Sequence, residues 1–181
     1  GLVGSEMCIR DRPRSYWDWG EQIEANSVGA FPYTPATNLL YGLNEAIAML
    51  KEEGLDNVFS RHKRHAEATR LAVQTWGLEV LCEEKEDFSN TLTAVLLPDG
   101  YNADEFRSVV LDNFNMSLGN GLSRLAGKVF RIGHLGDFND LMLVATLGGI
   151  EMGLSKNSIP HQVGGTPVSY THLRAHETSG Y

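Results

Sequence analysis

The sequence predicts an α/β protein, more closely an α+β layer, in which helices pack on an open sheet of about four short strands. Apolar residues recur at helical spacing in several long segments. Between these segments lie short β-branched or alternating runs bounded by glycine, proline or aspartate. Of the 181 residues, 42% are hydrophobic and 21% are charged, which is typical of a globular domain.

The helical segments are bounded by residues that favour helix ends. Thr37 or Asn38 can cap the start of the first long helix, and glycine follows the last periodic residue of two consecutive helices, at Gly54 and Gly77. Asp137 is expected to start the last helix. The predicted helices span 18–25, 37–54, 55–76, 102–114 and 137–154.

The strands are predicted from changes in the hydrophobic period. Leu78, Val80 and Cys82 alternate with polar residues directly after Gly77, as in a strand with one buried face. A later β-branched and aliphatic run ends at a Pro-Asp-Gly turn. The predicted strands span 78–82, 92–97, 116–118 and 129–132.

Charge and composition limit the possible partners. The chain has 15 lysines and arginines against 23 aspartates and glutamates, a formal net charge of -8, so a nucleic-acid surface is not expected. No apolar run reaches the roughly 18 residues of a membrane span, and the first residues lack the apolar region typical of a signal peptide, so no export is expected. Cys8 and Cys82 cannot form a disulfide framework. We therefore expect a cytoplasmic protein with small-molecule or protein partners and no membrane contact.

The two ends of the chain can encode one inverted DNA repeat. Codons chosen for residues 168–177 give a reverse complement that translates as residues 2–11. This repeat resembles a sequencing adapter read in both orientations, so neither end is expected to be genuine protein sequence. The expected organisation is an adapter-like end at 1–12, a remnant of a larger domain at 13–36, a small domain at 37–155, a tail at 156–167 and a second adapter-like end at 168–181.

Two features that resemble catalytic motifs have simpler explanations. In the glycine-rich segment 119–129, Gly121 and Gly127 are one residue too far apart for a nucleotide phosphate loop, and Val129 stands where a hydroxyl would hold magnesium. A tight turn is therefore expected there. Cys82 lies in a predicted apolar strand, so a buried, inert thiol is expected rather than a nucleophile.

His62 and His65 are spaced so that they could share a metal ion on one helix face. However, no carboxylate or cysteine pattern completes a site, and Arg61, Lys63 and Arg64 surround them. A solvated basic face is the favoured interpretation, and no metal site is predicted.

Arg131 is the most informative charged residue, because it interrupts the apolar run Val129, Phe130, Ile132. An arginine inside a strand needs a partner, and its planar guanidinium fits a carboxylate through two parallel hydrogen bonds. The residues alone leave two partners open, and they slightly favour an internal aspartate or glutamate over the carboxylate of a ligand.

Three long stretches resemble one enzyme family. They are FPYTPATNLLYGLNEA at 31–46, GLDNVFSRHKRHAEATRLAVQTWGLEVL at 54–81 and GKVFRIGHLGDFNDLMLVATLGGIEMGL at 127–154. They are similar to the C-terminal part of serine–glyoxylate and alanine–glyoxylate aminotransferases, class V members of the fold type I pyridoxal-phosphate enzymes. The resemblance covers residues 13–154, and its most specific motifs are YTPATNLLYGL and GKVFRIGHLGD.

The resemblance implies the C-terminal small domain of such an enzyme, preceded by a remnant of its large, cofactor-binding domain. The full-length protein would be a homodimeric transaminase that uses pyridoxal 5'-phosphate to transfer an amino group from serine or alanine to glyoxylate. The lysine that binds the cofactor covalently lies upstream in the family, so the chain is expected to contain no catalytic residue and to be inactive alone. Five lysines do not occupy that motif: Lys51, Lys63, Lys85, Lys128 and Lys156.

The resemblance also implies the roles of individual residues. Arg131 would receive the substrate α-carboxylate, which reverses the preference given above. Thr34, with Tyr33 beside it, would help to hold the cofactor phosphate of the neighbouring subunit. Where relatives can carry a tyrosine three residues before that threonine, this chain has Phe31.

Two other functions are compatible with parts of the sequence. A cysteine desulfurase would need a mobile, reactive cysteine, for which Cys82 is poorly suited. A non-catalytic α+β ligand-binding module would have no use for an aromatic edge such as Trp17 and Trp19, which fits a surface packed on a further domain.

Overall fold

The chain divides into two units, residues 1–52 and 53–181. The structure, a computed structural model, describes residues 18–175 of them. The first unit has two helices joined by an irregular segment, and the second has a four-stranded sheet with helices. The elements of the first unit are α1 (Trp19–Ser27) and α2 (Thr37–Glu53), whose last residue, Glu53, already belongs to the second unit. Those of the second are α3 (Leu55–Thr75), β1 (Glu79–Val80), β2 (Leu92–Leu96), α4 (Ala103–Phe114), β3 (Gly119–Asn120), β4 (Val129–Gly133), α5 (Asp140–Lys156) and α6 (Gly165–Ala175).

The two helices of the first unit bury no side chain. Helix α1 begins at an N-cap aspartate, because the Asp18 carboxylate accepts hydrogen bonds from the backbone N–H groups of Gly20 and Glu21 at 2.7 and 3.3 Å. Trp19 on α1 is 79% exposed and Leu39 on α2 is 75% exposed. The apolar residues of this unit are therefore not covered within it.

All neighbouring strands of the sheet are antiparallel, in the order β1-β2-β4-β3. Strand β4 lies between β2 and β3, and Val95 of β2 pairs with Phe130 while Ala94 pairs with Arg131. Because side chains alternate along a strand, Phe130 and Ile132 point to one face and Arg131 to the other. The buried Val95, Phe130 and Ile132 belong to the hydrophobic core, so the core lies on their face of the sheet.

The core is formed by these strand residues and the helices of the second unit. Phe106 of α4 packs against Phe130 with ring centroids 4.8 Å apart and planes inclined by 55°. Helix α5 approaches α4 closely at Gly153, where a Cβ atom would lie 2.5 Å from Cγ2 of Val110. A larger residue at position 153 would therefore separate the two helices.

A carboxylate ties three parts of the second unit together. Glu151 of α5 accepts a hydrogen bond of 2.7 Å from the indole N–H of Trp76, and further bonds from the backbone N–H groups of Gly164 and Thr166 at 2.9 and 3.2 Å. Burial raises the pKa of Glu151, but these hydrogen bonds outweigh that effect and hold the pKa below its usual value. The N-terminal end of α6 is thereby attached to α3 and α5.

The fold class is confirmed, while several boundaries differ from those predicted. Strand β1 ends at Val80, so Cys82 lies outside it. The third strand starts only at Gly119, and the last long helix starts at Asp140 because Asn139 caps it by accepting the N–H of Met142 at 3.0 Å. Trp17 lies outside the described residues.

The expected tail at 156–167 runs into helix α6, which begins at Gly165, continues into the expected adapter-like end and packs against α3 and α5. Its Leu173 is 2% exposed and belongs to the core. Helix formation concerns only the conformation of these residues, so the interpretation of 168–181 as an adapter-like end stays a prediction. Within residues 18–175, no helix is long and apolar enough to cross a membrane.

Replacing Phe106 by alanine should lower the free energy of unfolding by about 3–5 kcal/mol, because a buried aromatic ring and its contact with Phe130 are lost. Leu122, which is 62% exposed, provides the control, and Leu122→Ala should change the same quantity by no more than about 0.5 kcal/mol. Urea denaturation of both variants measures the difference. Equal effects would show that the core is not centred on the Phe106–Phe130 pair.

Candidate functional site

Arg131 lies in the middle of β4, on the face of the sheet opposite the core. Its Cα partners are Ala94 of β2 and Gly119 of β3. Both neighbours are small, so the large side chain of Arg131 has no bulky cross-strand neighbour at its own level. The half-buried side chain of Arg131 therefore lies between two positions that carry little or no side chain.

Arg131 makes no ion pair within residues 18–175. Its Nε atom is buried and has no hydrogen-bond partner there. The internal aspartate or glutamate that residue-by-residue reasoning favoured is thus not found in this part of the chain. A buried guanidinium donor without a partner is costly, and an added carboxylate would satisfy it.

The loop that follows β4 is held by side chains of α3. Arg61 donates through Nη1 to the carbonyl oxygens of Gly136 and Phe138 at 2.9 and 3.1 Å. Its other guanidinium nitrogens bind the two carboxylate oxygens of Glu53 at 2.6 and 2.7 Å. The hydrogen bond from Arg61 lowers the pKa of Glu53, so the carboxylate stays charged and the guanidinium keeps its orientation.

His62 is also used in this attachment. Its Nδ1 lies 2.7 Å from the carbonyl oxygen of Val58, and its Nε2 accepts the backbone N–H of Gly136 at 3.1 Å. Together these contacts assign the neutral tautomer with the proton on Nδ1. His62 thus fixes the turn that begins directly after the strand of Arg131.

Asp140, the first residue of α5, receives three hydrogen bonds. Arg64 binds both of its oxygens at 2.8 and 2.9 Å, and Nε2 of His65 lies 2.7 Å from Oδ1. Burial raises the pKa of Asp140, but the bonds from Arg64 and His65 more than offset it and leave the pKa below its usual value. The pKa of His65 is lowered, since burial outweighs the opposing effect of Asp140.

The expected solvated basic face around His62 and His65 is therefore wrong. The two histidines are 6% and 0% exposed, because this side of α3 packs against the rest of the second unit. Sequence reasoning noted the absence of a nearby carboxylate pattern, but Asp140 comes from a helix distant in sequence. Within residues 18–175, no group of three or more histidines, cysteines and acidic residues could hold a metal ion.

Cys82 and the glycine-rich segment have no catalytic geometry. Cys82 is half-buried rather than buried, and its Sγ lies 3.5 Å from the carbonyl oxygen of Glu84. The segment forms β3 and a 3₁₀ turn at Ser123–Leu125, and the carbonyl of Gly127 accepts the N–H of Ala103 at 2.7 Å. The glycine-rich segment therefore forms a tight turn, as expected, and not a nucleotide phosphate loop.

Tyr33 and Thr34 lie in the first unit, in the irregular segment before α2. They help to line an open, mostly apolar cavity of about 670 Å³. The side-chain amide of Gln22 on α1 donates to the Tyr33 hydroxyl, a contact that the sequence did not reveal. Thr34 is exposed and precedes the N-terminal end of α2 at Thr37. Two hydroxyls before a helix N-terminus suit a phosphate group, since that end of a helix carries partial positive charge.

The geometry of the second unit is that of the C-terminal part of fold type I aminotransferases. With the ureidoglycine–glyoxylate aminotransferase of Bacillus subtilis, the chain shares 26% identity and a TM-score of 0.81 over 95% of its own length and 46% of that chain. No protein-family model matches the chain.

Sequence relatives identify one group within this class of aminotransferases. The chain is 47% identical over 162 residues to the serine–glyoxylate aminotransferase of Methylorubrum extorquens, and 43% identical over 163 residues to that of Arabidopsis thaliana. Each match covers 89% of this chain, and the chain spans about 40% of the length of these relatives. The chain is thus related to the C-terminal part of the serine–glyoxylate aminotransferases, as the sequence motifs predicted.

His134, the residue directly after β4, should make the fold sensitive to acid. Its Nε2 lies 3.0 Å from the Thr93 hydroxyl, and burial lowers its pKa to about 4. Between pH 6.5 and 4 the folded state therefore binds fewer protons than the unfolded state, so stability falls as the pH falls through this window. The full loss attributable to His134 is about 3 kcal/mol.

Urea denaturation at pH 7 and pH 4 measures this contribution. His134→Gln should reduce the difference in unfolding free energy between the two pH values by about 3 kcal/mol. Thr93→Val is the control, because it leaves the imidazole buried and should preserve the acid sensitivity. An identical loss of stability in the His134→Gln variant and the unchanged chain would show that His134 does not titrate in this range.

Proposed function

We propose that the complete protein containing this chain is a pyridoxal-phosphate-dependent aminotransferase that transfers an amino group from serine or alanine to glyoxylate. The observation that carries the proposal is the buried, unpartnered Nε of Arg131 on the open face of the sheet. The relatives support glyoxylate as the amino acceptor, since serine–glyoxylate and ureidoglycine–glyoxylate aminotransferases share glyoxylate in their names and differ in the amino donor.

Arg131 binds the α-carboxylate in this proposal. Amino donors and 2-oxo acid acceptors differ at the carbon that exchanges nitrogen, but every one of them carries a carboxylate beside it. A guanidinium held on a strand fixes that carboxylate in position and direction, and so orients the adjacent carbon. The attachment of the following loop by Arg61 and His62 keeps the C-terminal end of the strand in place.

Tyr33 and Thr34 would hold the cofactor through its phosphate, in a neighbouring subunit of a homodimer. The Tyr33 hydroxyl accepts a hydrogen bond from the side-chain amide of Gln22, which holds the aromatic ring beside Thr34. Phe31, which lacks a hydroxyl, cannot replace it. When bound, pyridoxal phosphate supplies an electron sink for the negative charge that develops beside the substrate carboxylate. The homodimer and the cytoplasmic location stay predictions of the sequence.

Arg131→Ala in the complete enzyme should lower kcat/KM by about thirtyfold to several thousandfold, since losing one partner of a desolvated charge pair costs about 2–5 kcal/mol. Arg131→Lys should recover only part of the loss, because an ammonium keeps the charge but not the two-pronged geometry. Steady-state kinetics with serine, alanine and glyoxylate measure both variants.

The melting temperature of the same preparations provides the control. Because Arg131 has no ion-pair partner in residues 18–175, its removal should leave the melting temperature nearly unchanged. A sharp fall in melting temperature with near-normal specific activity would mean that Arg131 serves a structural salt bridge, and would contradict the proposal.

Thr34→Val in the complete enzyme should weaken the binding of pyridoxal phosphate by about tenfold to a hundredfold, the loss expected for one hydrogen bond to a charged group. Thr34→Ser is the matched control, because it keeps the hydroxyl. Fluorescence titration of the apoenzyme gives the dissociation constants, and competition by inorganic phosphate tests the phosphate contact directly. Equal affinity of all three proteins would remove Thr34 from the cofactor site.

A further inference from the structure

Gly119 is not required by the conformation of its backbone. It lies in β3, and it is not among the residues with positive φ, where glycine is favoured over other residues. By contrast, Gly127 and Gly136, which precede and follow β4, have φ angles of 71° and 94°. A glycine inside a strand weakens it and often marks the close approach of another group. The reason for a glycine at position 119 therefore lies in its surroundings.

The group that approaches Gly119 is the side chain of Arg131. A Cβ atom built on Gly119 would lie 3.0 Å from Cβ of Arg131, 3.1 Å from its Nε and 3.5 Å from its Cζ. The two residues are also direct Cα partners in the sheet. The stem and Nε of Arg131 thus occupy the space that a side chain at position 119 would fill.

We propose that Gly119 is a positioning residue for the carboxylate-binding guanidinium, and that its missing side chain sets where and at what angle Arg131 meets the substrate. This inference rests on the proposed function of Arg131. A guanidinium binds a carboxylate through two parallel hydrogen bonds only when the two planes are aligned. A methyl group at position 119 would displace Nε by a few tenths of an ångström and turn the planar group away from that alignment.

The consequence extends to both substrates. Donor and acceptor share the carboxylate and little else, so a displaced guanidinium weakens the binding of every 2-amino and 2-oxo acid alike. A residue that contacted the donor side chain would instead affect donors selectively. Gly119 therefore determines recognition of the carboxylate class, and not the choice between serine and alanine.

The test compares Gly119→Ala with Gly148→Ala in the complete enzyme. Gly148 lies within α5, its added Cβ would meet nothing within 4 Å, and its φ is not positive, so it is the matched control. Gly119→Ala should raise KM for serine and for glyoxylate by about tenfold, whereas Gly148→Ala should change neither.

Equilibrium binding provides a readout that does not depend on turnover. Ligand-observed NMR gives the dissociation constants of glycolate, an unreactive carboxylate, and of its neutral amide. Gly119→Ala should weaken glycolate binding by about tenfold and leave binding of the amide unchanged. Far-UV circular dichroism and the melting temperature show whether the variant is folded at the temperature of the measurement.

A double variant separates positioning from general damage to the sheet. In the Arg131→Lys background there is no planar fork to misalign, so Gly119→Ala should add less than about a threefold loss in glycolate affinity. If the two substitutions have independent, multiplicative effects, Gly119 does not act through Arg131 and the inference is overturned. Unchanged affinity in the Gly119→Ala single variant overturns it as well.

The Arg131→Ala variant distinguishes this failure from failure of the proposed function. If Arg131→Ala binds glycolate normally, Arg131 is not the carboxylate site and both proposals fail. If Arg131→Ala loses glycolate binding while Gly119→Ala retains it, the function of Arg131 stands and only the role of Gly119 is rejected.

Discussion

The pairing of β4 between β2 and β3 is the constraint on which the rest of the second unit depends. The pleat of this one strand sends Phe130 and Ile132 into the core and Arg131 to the opposite face. A shift of register by one residue would bury the guanidinium and expose both apolar side chains. Either change would lower the free energy of unfolding, so the register is strongly specified. The same backbone hydrogen bonds that stabilise the domain therefore also place its candidate ligand-binding group.

Helix α3 supports that strand in two different ways. Its apolar side chains, such as Ala72 and Val73, lie in the core, whereas Arg61, His62 and Arg64 reach polar groups between Gly136 and Asp140. These polar contacts are charge-assisted or involve backbone groups that would otherwise lack a partner, and they hold the loop after β4 together with Phe138, which packs against the core. One helix thus fixes both the position of the sheet and the path of the chain that leaves it.

The sequence predicted the parts of this arrangement that depend on local periodicity. The helices at α2, α3 and α4 and the central strands were predicted because their apolar residues repeat at helical or strand spacing.

The short edge strand at Gly119 was misplaced, because two residues carry too little pattern to locate a strand. The histidines of α3 were misjudged for a different reason. His65 contacts Asp140 and His62 contacts the backbone of Gly136, 75 and 74 positions further along the chain, and no local pattern records such contacts. Arg131 was found because a charge within an apolar run is itself a local signal, while Gly119 was not, because the atoms that exclude a side chain there belong to another strand.

Helix α2 leaves its apolar face exposed within residues 18–175. Its apolar side chains include Leu39, Leu40, Leu43 and Ile47, each between 42% and 75% exposed, and these four lie within one stripe about 100° wide. A stripe of this width normally packs against another element on one side of the helix. As long as these side chains face water they add almost nothing to stability by burial, so within residues 18–175 the conformation of α2 depends on its backbone hydrogen bonds and on helix propensity.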